Sequence, residues 1–163
     1  MKTEGIAGEL VAAVMAKTNA DMEHQAADRL SPLPTHHVLE IGFGPGVGIE
    51  LLSALLAEGH VAGASAHEPP WPDHSFKVVI AVNCAQVFEP MDANYREIAR
   101  VMKVGARIVT LTHDRAINRY SESVDRWLTD VRDACQTCGF VGMEDWHGSA
   151  RSGGTVGFSA VKM

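Results

Sequence analysis

Alternating glycines set directly behind a short apolar run constrain this chain more than any other feature. The stretch is His37-Val38-Leu39-Glu40-Ile41-Gly42-Phe43-Gly44-Pro45-Gly46-Val47-Gly48. It reads as a strand, a tight turn and a helix N-terminus, the order that brings a nucleotide-like ligand against backbone N–H groups. A dinucleotide fingerprint needs Gly-x-Gly-x-x-Gly, and position 47, where its third glycine belongs, is valine. A phosphate loop needs Gly-Lys-Ser/Thr, whereas Gly46 is followed by Val47-Gly48. What stands here is Glu-x-Gly-x-Gly-x-Gly, with the carboxylate of Glu40 ahead of the glycines.

The segments around the loop alternate in period. From about Glu4 to Leu30 two helices are expected, one with the stripe Leu10, Val11, Val14 and Met15, the other with Met22, Ala26, Ala27 and Leu30. Pro32 and Pro34 stop the second. Val38–Ile41 reads as a buried strand, followed by a helix facing Ile49, Leu52, Leu55 and Leu56 and closed by Gly59. Val61–Ala64 and Lys77–Asn83 read as further strands. Asp92 is expected to cap a helix of face Tyr95, Ile98, Val101 and Met102 that ends near Gly105. Ala106–Leu111 is the next strand, with Thr112, His113 and Asp114 at its carboxyl end. Ser121 or Ser123 starts a long helix of stripe Val124, Trp127, Leu128, Val131, Ala134, Cys135 and Cys138. Both cysteines fall on its apolar face and read as core, since a zinc site needs two further ligands. Phe140–Trp146 and Thr155–Met163 read as a terminal antiparallel pair joined by a turn over Gly148–Gly154. Strands alternating with helices predict an α/β protein with a mainly parallel sheet.

Length and charge narrow the function classes. With 163 residues the chain reads as one domain, 1–163, with N-terminal helices over 1–34 and the α/β core over 35–163. A net charge of −6 disfavours nucleic-acid partners, which select a basic face. No apolar run approaches the roughly 18 residues of a membrane span, and no signal-peptide pattern opens the chain. Three cysteines, an odd number, fit a reducing cytoplasm better than a disulfide framework. A cytoplasmic protein without membrane or metal is expected.

At Glu40-Ile41-Gly42-Phe43-Gly44-Pro45-Gly46 the chain resembles the class I S-adenosylmethionine-dependent methyltransferases, whose first motif is an acidic residue followed by Gly-x-Gly-x-Gly. The resemblance runs from Asn19-Ala20-Asp21-Met22 through the glycine loop, and again from Trp71-Pro72-Asp73 to Arg107-Ile108-Val109. It includes Ala81-Val82-Asn83 and the run from Arg96 to Lys103. It implies a three-layer Rossmann-like fold, S-adenosylmethionine as cofactor, and methyl transfer to a small molecule by direct displacement. On that reading Glu40 organises the loop or reaches the amino-acid end of the cofactor, and Gly42, Phe43, Gly44 and Gly46 bring the backbone close. Asn83 and Cys84 lie at the cofactor and substrate edge. Met22 and His24 face the pocket, or are a core methionine and a solvated histidine. His113 is the candidate base, or a loop histidine without a catalytic role. Displacement from a sulfonium needs alignment more than a dedicated catalytic residue.

The middle of the family pattern is missing. Where the family ends its second strand in the acid that binds the ribose hydroxyls, this chain has Ser65. Then 66–70 lead straight into Trp71, so that roughly thirty residues, a helix and a third strand, are absent (about one βαβ crossover). Glu68 is a candidate replacement carboxylate, or a plain loop residue. Losing a charged acceptor costs about 1.5–3 kcal/mol, which predicts a degenerate, weakened cofactor site. The second strand becomes a sheet edge beside uncovered apolar surface, and a homodimer through that edge follows as an expectation. Two functions compete: a small-molecule methyltransferase with a reduced cofactor site, and a catalytically inactive methyltransferase-fold binding or partner module. A nicotinamide-dependent oxidoreductase is disfavoured by the glycine spacing.

Overall fold

The computed structural model describes residues 19–42 and 44–163. Phe43 and the helix expected around Leu10–Met15 therefore lie outside the described residues. Helix α1 covers 19–30. It is followed by β1 (His37–Ile41), α2 (Val47–Leu55), β2 (His60–Ala64) and β3 (Phe76–Val82). After a short 3-10 turn at Ala85–Val87 come α3 (Met91–Val101), β4 (Met102–His113), α4 (Asp114–Ile117), α5 (Val124–Thr137), β5 (Phe140–Ala150) and β6 (Gly153–Lys162).

One six-stranded sheet runs β2-β1-β3-β4-β6-β5. β1 pairs in parallel with β2 and β3, and β3 with β4. β6 pairs antiparallel with β4 and β5, closing the sheet with the expected hairpin. The period-2 alternation of the strands sorts their side chains onto two faces. Leu39, Ile41, Val79, Ala81 and Ile108 pack with α3 and α5, while Val38, Val78, Ile80, Val82, Val109 and Leu111 pack with α1 and α2. Three layers result, as expected for a Rossmann-like fold. β1 sits where connections depart to β2 on one side and β3 on the other, the switch point at which open α/β sheets take ligands.

Four local expectations are corrected. Asp92 is not the cap of α3: Pro90 occupies that place in extended conformation, and Asp92 lies inside the first turn, paired with Arg96 at 3.1 Å. The same helix does not run on to Gly105 but stops at Val101, because Met102 already pairs with Phe76 across β3. Gly105, at φ +72°, serves an irregularity within β4 instead. Gly59 acts by close approach, since a Cβ there would collide with the His36 carbonyl oxygen. The terminal hairpin is longer and its turn tighter than expected, with only 151–152 between the strands. Gly154 and Gly157 allow this by leaving room for Asp114 and the Trp146 ring respectively. Ser123, as expected, caps α5, accepting a hydrogen bond from the Arg126 N–H at 3.1 Å.

The hairpin is tied to α1. Arg29 pairs with Glu144 at 2.9 Å and stacks over Trp146, and the Arg151 N–H donates to Asp21 at 2.7 Å. These ties bring the hairpin tip over the carboxyl ends of β3 and β4. At the opposite side β2 is the sheet edge, with His60 exposed and Val61, Ala62 and Gly63 half-buried.

Candidate functional site

The loop after β1 turns on three left-handed glycines: Gly42 at φ +70°, Gly44 at +45° and Gly46 at +88°. Side chains rarely tolerate those angles, so glycine is what lets the chain turn here. Gly42 is required twice over, because a Cβ would lie 2.6 Å from Cys84 Cβ. The Cys84 thiol donates to the Ile41 carbonyl at 3.0 Å and so clips the ends of β1 and β3 together. Burial, reinforced by Glu23 and Glu40, pushes that thiol's pKa up, which keeps it neutral rather than nucleophilic.

Two carboxylates meet beneath the loop. Glu40 shares the face of Val38, so its side chain points under α1 and α2, and Glu23 comes down from α1 to join it. They are 2% and 5% exposed. Gly48 leaves the space they occupy: a Cβ there would stand 2.5 Å from Glu40 Oε1 and 2.7 Å from Glu23 Oε2. Each has a buried Oε2 with no hydrogen-bond partner among the described residues. Burial first, and then the neighbouring Glu40 charge, pushes Glu23 up to about 8; burial pushes Glu40 up to about 7. Glu23 was not among the residues singled out from the sequence. The signal was there, because Glu23 lies at helical spacing with Ala26, Ala27 and Leu30, an acid inside an apolar stripe. Its neighbours behave blandly: Met22 is fully buried, and His24 is exposed.

Asn83 closes the far side. It adopts φ +51° at the end of β3, where its Oδ1 accepts from the His113 N–H at 3.1 Å and its Nδ2 donates to Asn19 Oδ1 at 2.8 Å. It thus joins β3, β4 and α1. His113 is buried, with Nδ1 3.3 Å from the Gly154 carbonyl and Nε2 2.8 Å from Ser152 Oγ. A carbonyl only accepts, so Nδ1 carries a proton, while Nε2 shares a hydrogen bond with the Ser152 hydroxyl. Both ring nitrogens are engaged with the hairpin.

Three cavities surround this framework. A small one of ≈ 40 Å³ lies between Glu23, Gly42, Gly44, Val47 and Asn83. A second of ≈ 490 Å³ shares Asn19 and Asn83 with it and continues to Gln86, His113, Arg115 and Arg119. The third, ≈ 260 Å³, lies on the other side of Gly42 and Cys84 and is lined by Ser65, His67, Glu89 and Asn94. Ser65 Oγ also accepts from the His67 N–H at 3.4 Å. Glu68 is exposed on the loop after β2 and does not line that cavity, whereas Glu89, not foreseen from the sequence, does. A wider cavity of ≈ 740 Å³ between α3 and α5 is edged by Asp92, Asp130 and Asp133 and does not reach the glycine loop. Among the described residues no group of His, Cys, Asp and Glu is arranged to hold a metal. Cys135 is buried in the core, and Cys138 caps the end of α5.

A family model described as a methyltransferase domain matches residues 47–110, beginning at the first residue of α2. No curated protein matches the chain in sequence. Solved structures match it in fold. A Thermotoga maritima S-adenosylmethionine-dependent methyltransferase, described as a possible histamine N-methyltransferase, is 17% identical with a TM-score of 0.64, covering 92% of each chain. A Haemonchus contortus phosphoethanolamine N-methyltransferase, solved with phosphomonomethylethanolamine and S-adenosylhomocysteine, is 15% identical with a TM-score of 0.70; the match covers 99% of this chain and 59% of that one. The [4+2]-cyclase SpnF is 15% identical with a TM-score of 0.60, covering 88% of this chain and 80% of that one. Over nearly all of its length the chain shares the fold of S-adenosylmethionine-dependent methyltransferases, and its residues 47–110 match the methyltransferase-domain model.

Proposed function

We propose that the protein is an S-adenosylmethionine-dependent methyltransferase acting on a small molecule. One observation carries this reading: two buried carboxylates, each with a partnerless oxygen, meet against a loop of left-handed glycines. A buried carboxylate without a partner is expensive unless a cation satisfies it. S-adenosylmethionine brings an ammonium group, and it supplies the chemistry as an electrophilic methyl on a sulfonium centre. Glu40 and Glu23 would hold its amino-acid end, with Gly42 and Gly44 giving close backbone approach. Ser65 and Glu89, which both line the 260 Å³ cavity, would face its ribose. Asn83 and Cys84 fix the strand ends that shape the site.

The second reading, an inactive module of the same fold, draws on Ser65, which puts a hydroxyl where a carboxylate would grip the ribose. Calorimetric titration with S-adenosylmethionine and S-adenosylhomocysteine separates the two. Micromolar binding supports the enzyme, and an acceptor screen follows. Absence of binding at millimolar ligand leaves the module. The exposed edge of β2 supports a homodimer paired through that strand, for which sedimentation should give twice the 17.5 kDa chain mass.

A further inference from the structure

We infer that the 490 Å³ cavity beside Asn83 is an acceptor pocket selective for a small molecule bearing an anionic oxygen group, carboxylate or phosphate, held by Arg115 and Arg119. The inference rests on the methyltransferase reading for the word acceptor, but not for the anion site itself. The cavity borders the glycine-loop cavity at Asn19 and Asn83, which line both. A molecule in it therefore lies next to the proposed cofactor's path. Among the described residues, Arg115 and Arg119 are the lysine, arginine or carboxylate side chains that line it.

Among the described residues both are without a counter-charge, where five other arginines have one. Arg29, Arg96, Arg100, Arg126 and Arg132 each pair with a carboxylate. Neither Arg115 nor Arg119 makes an ion pair among the described residues, and this in a chain of net charge −6, where counter-charges abound. Residues four apart on a helical turn project to one side, so α4 and its C-terminal extension present both guanidiniums to the same cavity. The guanidinium fork matches carboxylate and phosphate oxygens in pairs. The remaining lining adds neutral hydrogen-bonding groups from Asn19 and Gln86. His113 offers no free base, since both its ring nitrogens are already engaged. The pocket therefore supplies positive charge and alignment, which selects by the acceptor's anion.

The test is a two-arm NMR titration of the full chain, following the arginine side-chain Nε–H signals. Inorganic phosphate is the probe in one arm and acetate in the other, each at constant ionic strength. Saturable shifts at Arg115 and Arg119, absent at the surface-paired Arg126, are expected. Preference for one probe identifies the oxygen group. Arg115→Gln and Arg119→Gln should each weaken binding roughly tenfold or more, while Arg126→Gln leaves it unchanged. Both arginines are exposed, so the variants should fold. Linear, unsaturable shifts in both arms, or equal shifts at Arg126, overturn the inference. Calorimetry with S-adenosylmethionine is run on the same samples. Cofactor binding without anion binding sinks the pocket alone, and anion binding without cofactor binding sinks the methyltransferase reading alone.

Discussion

Replacing Glu23 with glutamine should remove a large part of the protein's loss of stability as pH rises from about 5 to about 8. Glu23 and Glu40 hold their protons up to about 8 and about 7 in the folded state, against 4.5 for an ordinary glutamate. Between about pH 5 and about pH 7 the folded chain therefore binds more protons than the unfolded one, so stability falls as pH rises. It is highest below the ordinary carboxyl value and stops falling once pH has passed the folded values. Each fully proton-retaining group contributes about 1.4 kcal/mol per pH unit, which gives the pair an upper slope of about 2.7 kcal/mol per unit. Neither carboxylate is exposed enough for water to screen that figure away. Glu23→Gln deletes one titration and gives Glu40 an amide N–H as neighbour, so the slope should fall to half or less. Urea unfolding at several pH values, with the two midpoint curves subtracted, measures this. Subtraction matters because His36, whose pKa is lowered by burial and then by Lys77, acts in the opposite direction, losing stability as pH falls, and is common to both proteins. Parallel curves for the parent and the variant would refute the reasoning, for Glu23 would then ionise like a surface acid.

Three further outcomes follow from the same geometry. S-adenosylmethionine affinity should rise with pH up to about 8, because a cation is held by the deprotonated pair; calorimetry in buffers of different ionisation enthalpy should show protons released on binding. Gly42→Ala forces a side chain into a left-handed site and against Cys84. It should cost about 1–3 kcal/mol in urea unfolding and abolish cofactor binding at ligand levels that saturate the parent. Gly59→Ala, which collides with the His36 backbone far from the site, should cost a similar amount but leave the affinity of the folded fraction unchanged.

The class of fold was legible in the sequence because it depends on local signals that the chain repeats. Buried strands and the amphipathic stripes of α1, α3 and α5 follow from the periodicity of apolar residues, and the loop after β1 from the spacing of its glycines; both survive whatever the tertiary surroundings. Element ends were less legible. The stop of α3 at Val101 and the reach of β4 back to Met102 depend on pairing with Phe76, a partner twenty-six residues away that no local window contains. Turn length in the β5–β6 hairpin was likewise set by what Gly154 and Gly157 make room for, namely Asp114 and Trp146.

By itself the sequence determined the turn of left-handed glycines after β1, the position of Glu40 ahead of it, and the hydroxyl rather than an acid at Ser65. Only the tertiary structure decided which charges meet there. Glu23 joins Glu40 because α1 crosses the sheet face that Glu40 shares with Val38. Glu89 rather than Glu68 lines the 260 Å³ cavity beside Gly42 and Cys84, through the path of the loop after β3. The ring of His113 is taken up by Ser152 and Gly154 because α1 holds the hairpin tip over β4. Residue types record what each group is able to do. Burial and partners, which convert a carboxyl into a retained proton or a histidine into a strut, exist only once distant segments have packed.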